Sequence, residues 1–167
     1  MSAAAGTGPG TAVPDAYFLD RAVELATKNV ADGGGPFGAV VVRGGELLAT
    51  GQNRVTRDND PTAHAEVQAI RAACRRVGTF SLHGTTLYSS CEPCPMCLAS
   101  SLWARVDRVV YAADRDDAAR GGFDDRAFYE LFSTDRSLWS TPVRQQRVPS
   151  AAEPFDAWLT SAARVDY

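Results

Sequence analysis

Pro61-Thr62-Ala63-His64-Ala65-Glu66 and Cys91-Glu92-Pro93-Cys94-Pro95-Met96-Cys97 are the two stretches from which the rest of the chain can be read. Thiolate sulfur and imidazole nitrogen are what a tetrahedral zinc ion takes, and a catalytic zinc keeps one position for water. Cys94 and Cys97 open an expected helix, where the positive end of the helix dipole favours thiolates. The two-residue gap lets both sulfurs of one turn face the same ion. His64 supplies a third ligand from the start of another helix. On a regular helix His64 and Glu66 would point about 200° apart. Both can face one ion only if His64 lies at an irregular start, so the regular helix is expected to begin close to His64. Two thiolates and a neutral imidazole leave a zinc site formally neutral, and such a site acidifies its water less than one held by three histidines. A carboxylate beside that water, Glu66, can take the proton and deliver it to a substrate.

Working outward, Ala16, Leu19, Val23, Ala26 and Val30 recur at helical spacing, so a helix is expected over residues 15 to about 31, with Asp15 as N-cap and Gly33-Gly34-Gly35 as its stop. Phe37–Val42 and Glu46–Gly51 read as a hairpin around Gly44-Gly45. Asp60-Pro61 has the form of a helix start, followed by the apolar stripe Val67, Ile70, Cys74, Val77 and the stop Gly78. Thr85–Ser90 and Val106–Ala113 read as strands around a helix from Pro95 to Ala104. Asp114–Gly122 reads as a charged loop, Asp124–Phe132 as a helix, Thr141–Val148 as a fifth, weakly patterned strand, and Pro154–Ala163 as a last helix. A hairpin followed by strand–helix alternation predicts an α/β fold of three layers, α-β-α, in which helices cover both faces of a mixed five-stranded sheet.

The chain has 167 residues, which suits one domain, and 45% of them are apolar. Residues 1–14, rich in Ala, Gly, Thr and Pro, are expected to be a disordered tail before a single domain over 15–167. The net charge of −3 speaks against a nucleic-acid partner. No apolar run reaches the roughly 20 residues of a membrane helix, and the N-terminus lacks the pattern of an export signal. Cysteines at such close spacing without an export signal indicate metal chemistry in the cytoplasm.

The pair His64-Ala65-Glu66 and Pro93-Cys94-Pro95-Met96-Cys97 matches the H-x-E … P-C-x-x-C pattern of the zinc deaminases. Further segments extend the match: Gly35-Pro36-Phe37-Gly38-Ala39, Gly51-Gln52-Asn53, Asn59-Asp60-Pro61-Thr62, Ala118-Ala119-Arg120-Gly121-Gly122-Phe123-Asp124-Asp125 and the terminal Tyr167. With these the chain resembles the bacterial guanine deaminases of the cytidine-deaminase-like superfamily. The resemblance implies one Zn2+ per subunit and hydrolysis of guanine to xanthine and ammonia. It implies that Glu66 shuttles protons, that Asp125 contacts the ring amine and helps ammonia leave, and that Asn53 binds the polar edge of the ring. It makes Phe37, Trp103 and Ala65 further substrate contacts. It also implies a homodimer in which the C-terminal segment, about 150–167, closes the partner's site and brings Tyr167 to the substrate.

Each of these residues has a plainer reading. Cys91 also stands at two-residue spacing from Cys94, so His64, Cys91, Cys94 and Cys97 could form a closed structural zinc site without catalysis. Asp124 and Asp125 could simply cap a helix, Asn53 could serve a turn, and Phe37 and Trp103 could belong to a core. Cys74 reads as a core thiol and His83 as a solvated loop residue. The same chemistry could instead act on adenosine in transfer RNA, cytosine or another nucleobase, or an aminotriazine such as ammeline.

Overall fold

The computed structural model describes residues 13–166 and divides the chain into two compact units, one ending at Tyr129 and one running from Glu130. The first unit holds helix α1 (Asp15–Ala31), strands β1 (Gly38–Arg43) and β2 (Glu46–Gln52), a short helix α2 (Val55–Asp58), helix α3 (Ala65–Val77), strand β3 (Thr85–Cys91), helix α4 (Pro95–Trp103), strand β4 (Arg108–Ala113) and helix α5 (Arg115–Arg120). Helix α6 (Arg126–Ser133) begins in it. The second unit contains two 3-10 turns and helix α7 (Glu153–Thr160), with Phe132 and Trp139 meeting edge to face.

The strands run in the order β2-β1-β3-β4. β1 is antiparallel to both neighbours, joined to β2 by the Gly44-Gly45 turn, and β3 and β4 are parallel across α4. β1 explains the layering. Its residues alternate between two apolar clusters, as the two-residue period of a strand requires. Ala39 and Val41 pack with Ala65, Ala69, Ile70 and Ala73 of α3, while Val40 and Val42 pack with Phe18 of α1 and with Tyr88. The sheet therefore carries helices on both faces, as expected of this fold class. Among the described residues no helix is long and apolar enough to cross a membrane.

Several expectations are corrected. The sheet has four strands. Residues 141–148 form no strand; they are exposed throughout, and the Arg144-Gln145-Gln146-Arg147 run gives them no apolar face to bury. The charged segment after β4 is not a loop but α5, stabilised by a capping box between Asp114 and Asp117. Asp60 does not cap α3. Its Oδ1 accepts from the Thr62 N–H at 2.8 Å and closes a turn, and α3 starts five residues later. Asp15 is the first helical residue, behind Pro14 at the N-cap, and its carboxylate accepts from Tyr88 Oη at 2.7 Å. The buried stripe of α1 is Phe18, Ala22, Ala26 and Asn29, so Val23 and Val30, expected inside, are exposed. Small alanines let α1 approach the sheet closely, and hydropathy alone favours the valines. The expected disordered tail lies, up to residue 12, outside the described residues, as does Tyr167.

Candidate active site

Two helix starts converge on one point. His64 is the N-cap of α3 with extended backbone (φ −68°, ψ 155°), and Cys94 is the N-cap of α4 with nearly the same geometry (φ −62°, ψ 166°). Because His64 lies off the regular helix, it and Glu66 reach the same place, as the two-residue spacing demanded. His64 Nδ1 is 3.6 Å from Cys94 Sγ and 3.5 Å from Cys97 Sγ. The donor atoms of this trio lie within 4.8 Å of one another. A tetrahedral zinc with bonds of about 2.0 Å to nitrogen and about 2.3 Å to sulfur places those atoms about 3.6 Å apart. The trio thus fits zinc in both spacing and donor type. Hydrogen bonding from Cys97, then from His64, holds the Cys94 thiol down at about 4, ready to bind metal as thiolate. Cys97 is pushed up by the same bond to Cys94 and by burial, and the bond with Cys94 raises His64.

Cys91 does not join them. Its buried Sγ donates to the Asp114 carbonyl at 3.5 Å, and burial pushes the thiol up to about 11. Among the described residues the cluster that could hold a metal is His64, Cys94 and Cys97, and Cys91 is not part of it.

Glu66, only 6% exposed, is next to the trio. Its Oε1 accepts from Ser89 Oγ at 3.2 Å and its Oε2 from Cys97 Sγ at 3.4 Å. Burial raises its carboxyl above the ordinary value.

His64, Cys94 and Glu66 face a cavity of about 610 Å3, within the usual range for small-molecule sites. Asn53, Phe37 and Asp125 line the same cavity. Asn53 Oδ1 accepts from the Val55 N–H at 3.3 Å, which leaves the side-chain NH2 to donate elsewhere. Phe37 meets Phe123 edge to face at 5.1 Å, making an apolar wall. Burial, and then Cys94, raise the Asp125 carboxyl, with Arg115 opposing.

The profile described as "Cytidine and deoxycytidylate deaminase zinc-binding region" matches residues 13–113. The chain belongs to that zinc-binding deaminase family. Zinc is accordingly its cofactor, and the trio is the set of side chains able to hold it. Within the family, the deaminase is 49% identical over 151 residues to the guanine deaminase of Bacillus subtilis, which covers 90% of this chain and 97% of that one. The crystal structure of the Bacillus subtilis guanine deaminase matches with a TM-score of 0.88 at 47% identity, over 93% of this chain and 99% of the other. A guanine deaminase from Nitrosomonas europaea matches with a TM-score of 0.63 at 37% identity, over 68% of this chain and 65% of its own. A relative solved with 2,6-diaminopurine matches at 38% identity and a TM-score of 0.64, over 68% of this chain and 63% of its own, so small purines bind within the group. The tRNA-specific adenosine deaminase of Aquifex aeolicus is 41% identical over a shorter stretch of 97 residues, 58% of this chain and 64% of that one.

Not every expected residue reaches the cavity of the deaminase. Ala65 has no exposed surface and packs in the core between α3 and β1. Trp103, at the end of α4, is 64% exposed and lies outside the cavity lining, with the Arg105 guanidinium 5.8 Å from its ring centroid. Other residues went unforeseen. Ser89 holds Glu66, and nothing in its strand pattern marks it. Asn29, buried on α1, donates through Nδ2 to the carbonyls of Gly35 and Asn53, both at 2.8 Å, and so joins two walls of the cavity. A polar residue on the buried stripe of α1 is the only mark it leaves in the sequence, and the stronger hydropathy of Val23 and Val30 on another face hides it.

Proposed function

We propose that this chain is a guanine deaminase, converting guanine and water to xanthine and ammonia. The observation that carries this reading is the one cavity that joins His64 and Cys94 of the metal trio, and Glu66, to Asn53, to the Phe37–Phe123 wall and to Asp125. The near-full-length identity to a guanine deaminase supports it. When bound, zinc supplies Lewis-acid activation of the attacking water. As the water oxygen bonds to the amino-bearing carbon, Glu66 takes one of its protons and delivers it to the adjacent ring nitrogen; it then takes the second proton from that oxygen and delivers it to the amine, which leaves as ammonia when the C–N bond breaks. Ser89 Oγ orients that carboxylate through its hydrogen bond. Asn53, with its carbonyl oxygen occupied by Val55, donates its NH2 to an acceptor on the polar edge of the base. Phe37 and Phe123 hold the flat ring and exclude water. Asp125 receives the ring amine and assists the loss of ammonia. The net charge of −3 and a cavity lining whose arginine, Arg115, is ion-paired with Glu92 favour a free base over an RNA loop.

Ammonia release from guanine, adenine, cytosine, ammeline and their nucleosides tests the substrate. Guanine is expected to exceed the others in kcat/KM by about a hundredfold or more, since a site built to hydrogen-bond its substrate rejects analogues that leave buried polar groups unpaired. No release from guanine would remove the substrate assignment.

The same reading has a cytoplasmic homodimer in which residues of about 150–167, Tyr167 included, close the partner's site. In support, α7 exposes Phe155 and Leu159, an apolar face that needs a cover. Sedimentation is expected to give a dimer at micromolar concentration; a monomer would exclude the exchange.

A further inference from the structure

We propose that Glu92, Arg115 and Tyr129 form a clamp that positions Asp125 against the metal-ligand loop, a role that rests on the reading of Asp125 as a substrate-side group. Glu92 and Pro93 sit directly before Cys94. The Glu92 carboxylate accepts from the Arg115 backbone N–H at 3.1 Å and from Arg115 Nε at 3.0 Å through Oε2, while its Oε1 takes Arg115 Nη2. The guanidinium carbon of Arg115 lies 3.6 Å from the centroid of the Tyr129 ring. Tyr129 Oη in turn donates to the Pro93 carbonyl at 2.8 Å. The segment from 115 to 129 is therefore pinned at both ends to two consecutive residues of the short loop that leads into Cys94 and α4.

Asp125 lies inside that pinned segment. Its carbonyl accepts from the Phe128 N–H at 2.9 Å, so Tyr129 stands one helical turn beyond it and any movement of Tyr129 carries Asp125 along. Arg126 adds internal ties to Asp124 at 2.6 Å and to Asp116 at 3.3 Å. An exposed ion pair alone holds little. Here the Glu92 side chain is only 14% exposed, the pairing is a two-pronged fork, and the guanidinium is stacked on an aromatic ring. Only arginine offers both the flat fork and the stacking face; lysine keeps the charge and loses the geometry.

An ordinary structural lock would have the same contacts, so the test must follow Asp125. Tyr129→Phe keeps the ring over Arg115 and deletes only the bond to Pro93; Arg115→Lys keeps the charge and deletes the fork. Each is expected to lower kcat on guanine about tenfold, with KM within about twofold and zinc content unchanged, because a small misplacement of a reacting group costs rate before binding. In an Asp125→Ala background the same changes are expected to cost less than about twofold, the signature of residues acting through one group. Hydrogen exchange reads the clamp without turnover. The Ala118 amide bonds to the Asp114 carbonyl at the edge of the clamped segment and those of Gly121, Gly122 and Phe123 bond within it; all four are expected to exchange about tenfold faster in Tyr129→Phe, with those of Val40–Val42 unchanged. Equal rate losses with and without Asp125, or unchanged exchange at 118–123, would overturn the clamp. Faster exchange in a chain that releases no ammonia from guanine would leave the clamp standing and place the failure in the substrate assignment, with the kinetic arm then read on whichever base is turned over.

Discussion

Glu66→Gln is expected to lower guanine turnover by about three to four orders of magnitude while zinc remains at one ion per chain. General acid–base catalysis contributes about 10²–10⁴ in rate. The upper part of that range applies because one carboxylate serves both the proton leaving water and the proton reaching the amine. Glutamine has the same shape and can do neither. It can keep the local contacts: Ser89 Oγ, 3.2 Å from Oε1, still has a carbonyl oxygen to donate to. The Cys97 sulfur, 3.4 Å from Oε2, is a thiolate when it binds zinc and gains an N–H donor from the amide. Metal retention should therefore match or exceed that of the parent. Removing a carboxyl that burial already disfavours as an anion should leave the melting temperature the same or higher. Steady-state ammonia release, metal content and thermal unfolding measure the three quantities. Activity within about tenfold of the parent would remove Glu66 from proton transfer. Loss of zinc together with activity would show it to be a support of the metal site instead.

The parts of this site that were legible in the sequence are those fixed by a local geometric demand. His64 and Glu66 cannot face one ion from a regular helix, so the start of α3 is fixed at His64 against the competing signal of Asp60-Pro61, and His64 is indeed its N-cap. Cys94 and Cys97 on one turn gave the second half of the trio. The hairpin at Gly44-Gly45 and the parallel pair around α4 were likewise written in turn chemistry and alternation. What escaped depends on partners distant in sequence. The face of α1 is chosen by how closely it can approach β1, which selects Ala22 and Ala26 over Val23 and Val30. Ala65 sits in the zinc motif, yet its side chain goes to the core because the residue after an extended N-cap is already on the inner face of α3. Helix α5 is too short and too charged to show periodicity, although Asp114 and Asp117 carried the spacing of a capping box. The contacts among Glu92, Pro93, Arg115 and Tyr129 join residues 14 to 36 positions apart, and no local pattern announces them.

Gly51→Ala is expected to be among the most damaging single methyl additions to this chain, although Gly51 touches neither metal nor cavity. A Cβ built there would stand 2.1 Å from the Ala65 carbonyl oxygen and 2.4 Å from the Ala69 nitrogen. Both are backbone atoms of α3, so no side chain can rotate away; the helix itself must move off the sheet. The interface it would leave is made of Ala65, Ala69 and Ala73, all without exposed surface, packed on Ala39 and Val41. Overpacking usually costs about 1–3 kcal/mol, and a rigid backbone neighbour puts this site at about 3 kcal/mol or more. In a chain of this size that is a fall of roughly 10 °C in melting temperature. The loss extends to function because α3 holds His64 at its N-cap and Glu66 in its first turn, whereas Cys94 and Cys97 ride on α4. A shift of α3 opens the distances of 3.5 and 3.6 Å between His64 Nδ1 and the two sulfurs. Zinc affinity should therefore fall even at temperatures where the variant is folded, and activity with it. Thermal unfolding and competitive zinc titration of the folded variant are the measurements. A variant with parental melting temperature and zinc affinity would mean that α3 does not need to lie this close to β2, and that the metal trio is assembled by its own loops and not by the seating of the helix on the sheet.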